Sequence, residues 1–169
     1  MSELLNPLFT PPELISSRHS LKAFDCGNEA MTSWLKTHAL DNEGVVSRTY
    51  VIADAGNSVI AYYTLATGRI DRRDLPRRKR HNSPEFIPVI VLGRLAVDRN
   101  HSGLGLGSGM LREAMLRTLE VSKTIGVRAL LVHAIDDDAV PYYQQYGFIP
   151  SPTSGRSLIL PVETIKDAL

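Results

Sequence analysis

Residues 94–115 read RLAVDRNHSGLGLGSGMLREAM, an apolar strand, a turn with glycines at 103, 105, 107 and 109, and an amphipathic helix in direct succession. Glycine lets a turn adopt positive φ and lets a ligand come close to the backbone. The helix start that follows offers N–H groups without intrahelical partners, together with the positive end of the helix dipole. Such a stretch suits an anion, a pyrophosphate above all.

Working outward, VIVLGRLAVD (89–98) is the most apolar strand of the chain and is expected at the centre of a sheet. A helix is predicted from about Leu104 to Ile125, with Leu106, Met110, Leu111, Ala114, Met115, Thr118 and Val121 at core spacing and Gly126 as its stop. The strand VRALLVHA (127–134) follows, so the two strands should run parallel through a right-handed crossover. Upstream, NEAMTSWLKTHALDNEG (28–44) predicts a helix capped by Asn28, with Met31, Trp34, Leu35 and His38 on one face. SRTYVIADAGNSVIAYYTLATG (47–68) predicts an antiparallel hairpin turning at Gly56-Asn57, its second strand extending through Leu65. Downstream, Asp136 to Asp138 supply caps for a short helix, AVPYYQQY, stopped by Gly147; a last strand, RSLILPV, closes the sheet and ETIKDAL is a frayed helical end. The expected fold class is α/β (α+β): a mixed central sheet flanked by helices, in a single domain over residues 1–169.

An apolar fraction of 43% is ordinary for a globular protein. Cys26 is the only cysteine, which excludes an internal disulfide framework and points to a structural role. Residues 1–20 hold no long apolar run, so no signal peptide or membrane anchor is expected and a cytoplasmic location follows. No cluster of His, Cys, Asp or Glu has metal-ligand spacing, and no metal is expected. His133 in its apolar strand reads as a satisfied core histidine and His101 as the edge of the glycine loop. The net charge of +1 conceals a segregation: RIDRRDLPRRKRH (69–81) holds seven bases and two acids, leaving twelve bases against sixteen acids elsewhere. A basic lobe of net +5 on a body of net −4 suits a polyanion; alternatively it is a solvated loop that aids solubility.

Three chemistries compete for the glycine loop. A nucleotide P-loop requires a lysine beside the hydroxyl residue after its last glycine, and Ser108 has no such lysine. A dinucleotide-binding turn requires G-x-G-x-x-G, and the third glycine at that offset is missing, although Asp136 after the next strand keeps this alternative open. In a coenzyme A site, successive amides of the turn bind the pyrophosphate and the preceding strand's backbone pairs with the pantetheine arm.

RLAVDRNHSGLGLGSGML resembles the strand, pyrophosphate loop and helix start of GNAT acetyltransferases, and AVPYYQQYGF places Tyr143 four residues before Gly147-Phe148, where that family carries a tyrosine. Asn100 departs from the usual Gln or Arg at the loop's start. LISSRHSLKAFDCGNEAMTSWL, YYTLATGRI, IPVIVLGRLAVD and GVRALLVHA extend the likeness over nearly the whole chain, to the GNAT toxins of bacterial toxin–antitoxin pairs. The resemblance implies an enzyme that moves acetyl from acetyl-CoA to the α-amino group of aminoacyl-tRNA and so blocks translation. It implies a cognate antitoxin, often of ribbon-helix-helix type, and a possible homodimer. It assigns acetyl-CoA to Leu95, Ala96 and Val97 on the strand and to Gly103, Leu104, Gly105, Leu106, Gly107 and Ser108 in the loop, and tRNA to Arg72, Arg73, Arg77, Arg78, Lys79 and Arg80.

Amine attack on a thioester expels a thiolate that an acid should protonate. Tyr143 is the candidate, because a phenol with a pKa of about 10 is protonated at neutral pH; Tyr142 and Tyr146 fit core roles better. The strand Val89–Val97 contains no glutamate to deprotonate the amine. An α-amine titrates at about 7.7–8.0 against about 10.4 for lysine, so it is already partly neutral and can use water as base. The missing carboxylate favours an α-amine substrate, with Asp98 or Glu85 as alternative bases from outside the strand.

Overall fold

The computed structural model describes residues 8–169. Its strands form a seven-stranded sheet in the order β1-β2-β3-β4-β5-β7-β6. They are β1 (Glu13–Leu14), β2 (Arg48–Ala53), β3 (Val59–Asp71), β4 (Phe86–Val97), β5 (Ala129–His133), β6 (Ile149–Pro150) and β7 (Ser157–Pro161). The helices are α1 (Glu29–Thr37), α2 (Ala39–Asn42), α3 (Leu106–Ser122), α4 (Ala139–Gln144) and α5 (Val162–Ala168). The most apolar strand, β4, stands in the middle of the order as expected. It pairs parallel with β5, Val89↔Ala129 through Leu92↔Val132, which realises the strand–loop–helix–strand crossover read from the sequence. The pairs β1–β2, β2–β3, β5–β7 and β6–β7 are antiparallel. Among the described residues no helix is long and apolar enough to cross a membrane.

The chain divides into two compact units, whose described residues are 8–66 with 93–114, and 67–92 with 115–169; β3, β4 and α3 each run from one into the other. In the first unit, Ile15, Phe24, Leu35, Ala39, Val51, Val59, Tyr62 and Ala96 form the core, with Trp34 and Cys26 packed against it. Asn28 caps α1 as expected, its side chain accepting from the Met31 N–H at 3.1 Å. The helix ends sooner than its pattern suggested. His38 is its C-cap and is exposed, and the buried residues of α1 are Thr32 and Leu35. The hairpin turn is also as read: Asn57 takes φ 62, and Asp54 Oδ1 accepts from the N–H groups of Gly56 and Ser58 at 2.9 and 3.0 Å.

In the second unit, Ile70, Leu75, Ile87, Val89, Ala129, Leu131 and Ile159 form the core. Here β3 runs six residues past the expected Leu65, to Asp71. The helix α3 is shorter than predicted at both ends, and Val121 is 37% exposed rather than buried. The tail ETIKDAL is a docked helix and not a frayed end. Ile165 is fully buried, a contribution of about 1.5–3 kcal/mol. Glu163 accepts from Arg128 Nη1 at 2.7 Å and from Lys79 Nζ at 3.1 Å. Burial alone would raise the Glu163 carboxyl, but its own backbone N–H, Lys79 and Arg128 outweigh that and hold it below the ordinary carboxylate range.

Candidate active site

The first unit carries the glycine loop. From β4 the chain enters a 3₁₀ turn over Arg99–His101 whose cap is Asp98. Asp98 is 5% exposed, and its carboxylate accepts from the Asp25 N–H at 2.9 Å, the Asn100 N–H at 3.1 Å and His101 Nδ1 at 3.0 Å. Burial pushes this carboxyl up, but the three donors outweigh burial and leave it below its ordinary value. Asp98 is thus engaged as the clamp of the loop's entry, and His101 edges the loop as read from the sequence. Arg99 pairs with Asp25 at 2.5 Å on the same entry.

Past this clamp, Gly103 and Gly105 both take φ +78, and a Cβ at either position would meet nothing within 4 Å. The backbone of the turn therefore faces open space in a conformation that L side chains rarely adopt. The Gly105 carbonyl accepts from the Gly109 N–H at 3.0 Å, which makes Gly105 the N-cap of α3 and Leu106, Gly107 and Ser108 its first turn. A glycine cap has no side chain to occupy the first helical N–H groups, whereas Asn28 does this for α1. Leu104 is 52% exposed on the turn, while Leu106 is 5% exposed and anchors the helix start in the core. A pyrophosphate fits this cradle of amides at the positive end of a 17-residue helix. On β4, the register with β5 ends at Leu92↔Val132, so Leu95, Ala96 and Val97 lie beyond it. That leaves their backbone without a β5 partner in this register, at the residues the sequence reading assigns to the pantetheine arm.

The second unit carries Tyr143, on α4. Asp136 Oδ1 accepts from the Ala139 N–H at 3.0 Å and so starts this helix, as the sequence suggested. The Tyr143 ring sits edge-on to Tyr142 at 5.2 Å and to Phe148 at 5.5 Å, and its carbonyl accepts from the Phe148 N–H at 3.4 Å. The Gly147-Phe148 pair is therefore the brace of the tyrosine, with Phe148 3% exposed. Burial alone raises the Tyr143 phenol, so it holds its proton throughout the neutral range. Among the described residues its hydroxyl has no hydrogen-bond partner.

The basic segment, also in the second unit, is a built structure. It folds as two 3₁₀ turns, Arg72–Asp74 and Arg77–Lys79. The side chain of Asp74 accepts from the Asp71 N–H and from Thr153 Oγ1, at 2.9 and 2.5 Å, and Leu75 is fully buried beneath. Its cations divide by role. Arg80 donates to the carbonyls of Leu75 and Arg73 at 2.8 and 3.0 Å, Lys79 pairs with Glu163, Arg73 pairs with Asp71 at 3.4 Å, and Arg72 donates to the Ser83 carbonyl at 3.3 Å. Arg77 and Arg78 are exposed, and their side chains make no hydrogen bond or ion pair among the described residues.

The remaining candidates are placed more simply. His133 is exposed as the last residue of β5 and faces Ser157 Oγ at 2.9 Å, so it is not the core histidine expected from its apolar strand. Glu85 is exposed beside the basic segment. Cys26 lies against Thr32 Oγ1 at 3.3 Å in a structural role.

Residues 46–150 match the model of the acetyltransferase (GNAT) domain. The chain belongs to the GNAT family. It is accordingly an acetyl-CoA-dependent acetyltransferase. A tRNA-acetylating toxin of Mycobacterium tuberculosis is 40% identical over 162 residues, 95% of either chain. The solved structure of AtaT complexed with acetyl-methionyl-tRNAfMet superposes with a TM-score of 0.88 at 30% identity, covering 95% of this chain and 98% of AtaT. A mutant AtaT toxin bound to the C-terminus of the antitoxin AtaR and to acetyl-CoA superposes at 0.81 with 28% identity, covering 95% and 98%.

Proposed function

We propose that this GNAT enzyme is a toxin that transfers acetyl from acetyl-CoA to the α-amino group of an aminoacyl-tRNA, blocking translation, and that a cognate antitoxin restrains it. The observation that carries this reading is its 40% identity, along 95% of both chains, to a relative named for tRNA acetylation. The structure adds a cradle fit for pyrophosphate and a segment presenting two unengaged arginines. The 169 residues act as one cytoplasmic acetyltransferase domain, with homodimer formation and a ribbon-helix-helix antitoxin as further expectations from the toxin likeness.

Bound acetyl-CoA supplies the thioester that the amine attacks. The amides from Gly103 to Ser108 hold the pyrophosphate, and the backbone of Leu95, Ala96 and Val97 orients the arm. Tyr143 Oη holds the proton that neutralises the departing thiolate, a general-acid contribution of about 10²–10⁴. Among the described residues nothing else engages that proton, because the hydroxyl has no hydrogen-bond partner there. The segment β4, Phe86–Val97, contains no acidic residue, and Asp98 is committed to its three donors. With an α-amine of pKa about 7.7–8.0, water suffices to remove the amine's proton. Arg77 and Arg78, with Arg72, Arg73, Lys79 and Arg80 shaping the same lobe, contact tRNA phosphates.

The test follows labelled acetyl from acetyl-CoA onto charged tRNA, onto a short aminoacyl ester and onto a free small amine. Preference for charged tRNA, with growth arrest relieved by an adjacent small reading frame, is expected. Equal rates on all three would make the chain a small-amine acetyltransferase.

A further inference from the structure

Phe86 opens β4 and is 48% exposed, and the guanidinium of Arg69 lies 4.1 Å from its ring centroid. Arg69 is itself exposed near the end of β3, and both residues belong to the second unit. The Arg72 N–H donates to the Glu85 carbonyl at 2.9 Å, which ties the first arginine-rich turn to the residue preceding Phe86. Phosphate contacts require only cations, in almost any orientation. An exposed aromatic ring contributes nothing to them. Here a flat guanidinium lies over a flat ring, at the base of a basic lobe whose Arg77 and Arg78 side chains have no internal partner among the described residues. Of the acids nearby, Asp71 is taken up by Arg73, Asp74 by Thr153 and Glu163 by Lys79 and Arg128, while Glu85 is exposed.

We propose that Phe86 and Arg69 form a stacking platform for unpaired RNA bases, such as those of a tRNA's single-stranded end. The inference rests on the tRNA reading and adds a specific means of holding the substrate. Aromatic rings and guanidinium planes both stack bases, tolerantly of sequence, while surrounding cations track the backbone. Phe86 supplies the ring, Arg69 seated over one face of it supplies a second planar surface and a charge, and Arg77 and Arg78 supply the phosphate contacts. The division of labour separates base-dependent from base-independent affinity.

The experiment uses the full chain and two probes: a short single-stranded RNA, and the same ribose–phosphate strand without bases. The parent should bind the base-bearing strand about five- to 150-fold more tightly for each stacked base. Phe86→Leu should erase that difference, leaving affinity for the abasic strand, its salt dependence and the affinity for acetyl-CoA unchanged. Phe86→Tyr should retain the difference. Phe86 is half exposed, so neither variant removes a core side chain, and unchanged thermal melting checks the fold. If the parent acetylates charged tRNA yet binds both strands equally, or if Phe86→Leu keeps the base preference, the platform is overturned while the tRNA reading stands. If the parent neither acetylates charged tRNA nor prefers bases, both fall together.

Discussion

Tyr143→Phe removes one oxygen from the proposed acid and tests the chemistry with little disturbance to the fold. The Tyr143 hydroxyl has no hydrogen-bond partner among the described residues, and the ring contacts to Tyr142 and Phe148 are edge contacts that phenylalanine reproduces. Stability should therefore change by no more than about 0.5 kcal/mol, as for substitutions that leave packing intact. At 169 residues that corresponds to a melting shift of at most about 2 °C. The rate of acetyl transfer should fall by about 10²–10⁴, or about 2.7–5.4 kcal/mol of barrier, with acetyl-CoA affinity unchanged. The pH profile carries a second signature. Burial raises the phenol above its ordinary pKa of about 10, so the parent's rate should climb as the α-amine deprotonates through about 8 and then hold level to at least pH 10. Single-turnover assays on charged tRNA across this range, beside calorimetry with acetyl-CoA, measure both. A Phe variant that transfers acetyl at the parent rate, or a parent whose activity collapses between pH 8 and 10, would refute Tyr143 as the acid.

Gly105→Val places a β-branched residue at φ +78 and a side chain in the space assigned to pyrophosphate, so acetyl-CoA affinity should fall at least tenfold by calorimetry, with a backbone strain of about 1–3 kcal/mol seen in melting. Arg77→Ala with Arg78→Ala should flatten the log–log salt dependence of tRNA binding by about 1.4–1.8, at about 0.7–0.9 per lost phosphate contact, leaving melting unchanged. Arg80→Ala should lower the melting temperature instead, because its two carbonyl contacts hold the loop together. For Asp98, whose folded pKa is lowered, the stabilisation is fully present above about 3.9 and is lost as pH falls through the folded value; Asp98→Ala should cost about 1–3 kcal/mol and remove that acid-limb dependence in equilibrium unfolding.

The elements with strong local signals were legible in the chain itself. Alternating glycines beside an amphipathic run favour a turn and a helix start, Asn28 satisfies the N–H three residues after it, and Asp54 and Asn57 close their turn with their own atoms. The apolar run Val89–Leu92 is mostly buried, and β4 stands in the middle of the sheet order. The offset from Gly-Phe marks Tyr143 as the candidate, and in the structure Phe148 packs edge-on against its ring. Other features depended on partners distant in sequence. The last seven residues have a weak helical pattern, and it is the bonds of Glu163 to Arg128 and Lys79, 35 and 84 positions away, together with burial of Ile165, that fix them as α5. His133 looked internal because its strand is apolar, but its side chain is exposed beside Ser157 of β7, a partner distant in sequence. In the basic segment, composition assigned every arginine the same role. Only folding brought the carbonyls of Leu75 and Arg73 to Arg80 and left Arg77 and Arg78 to solvent, because a side chain's role is set by which donors and acceptors the fold brings within hydrogen-bonding distance.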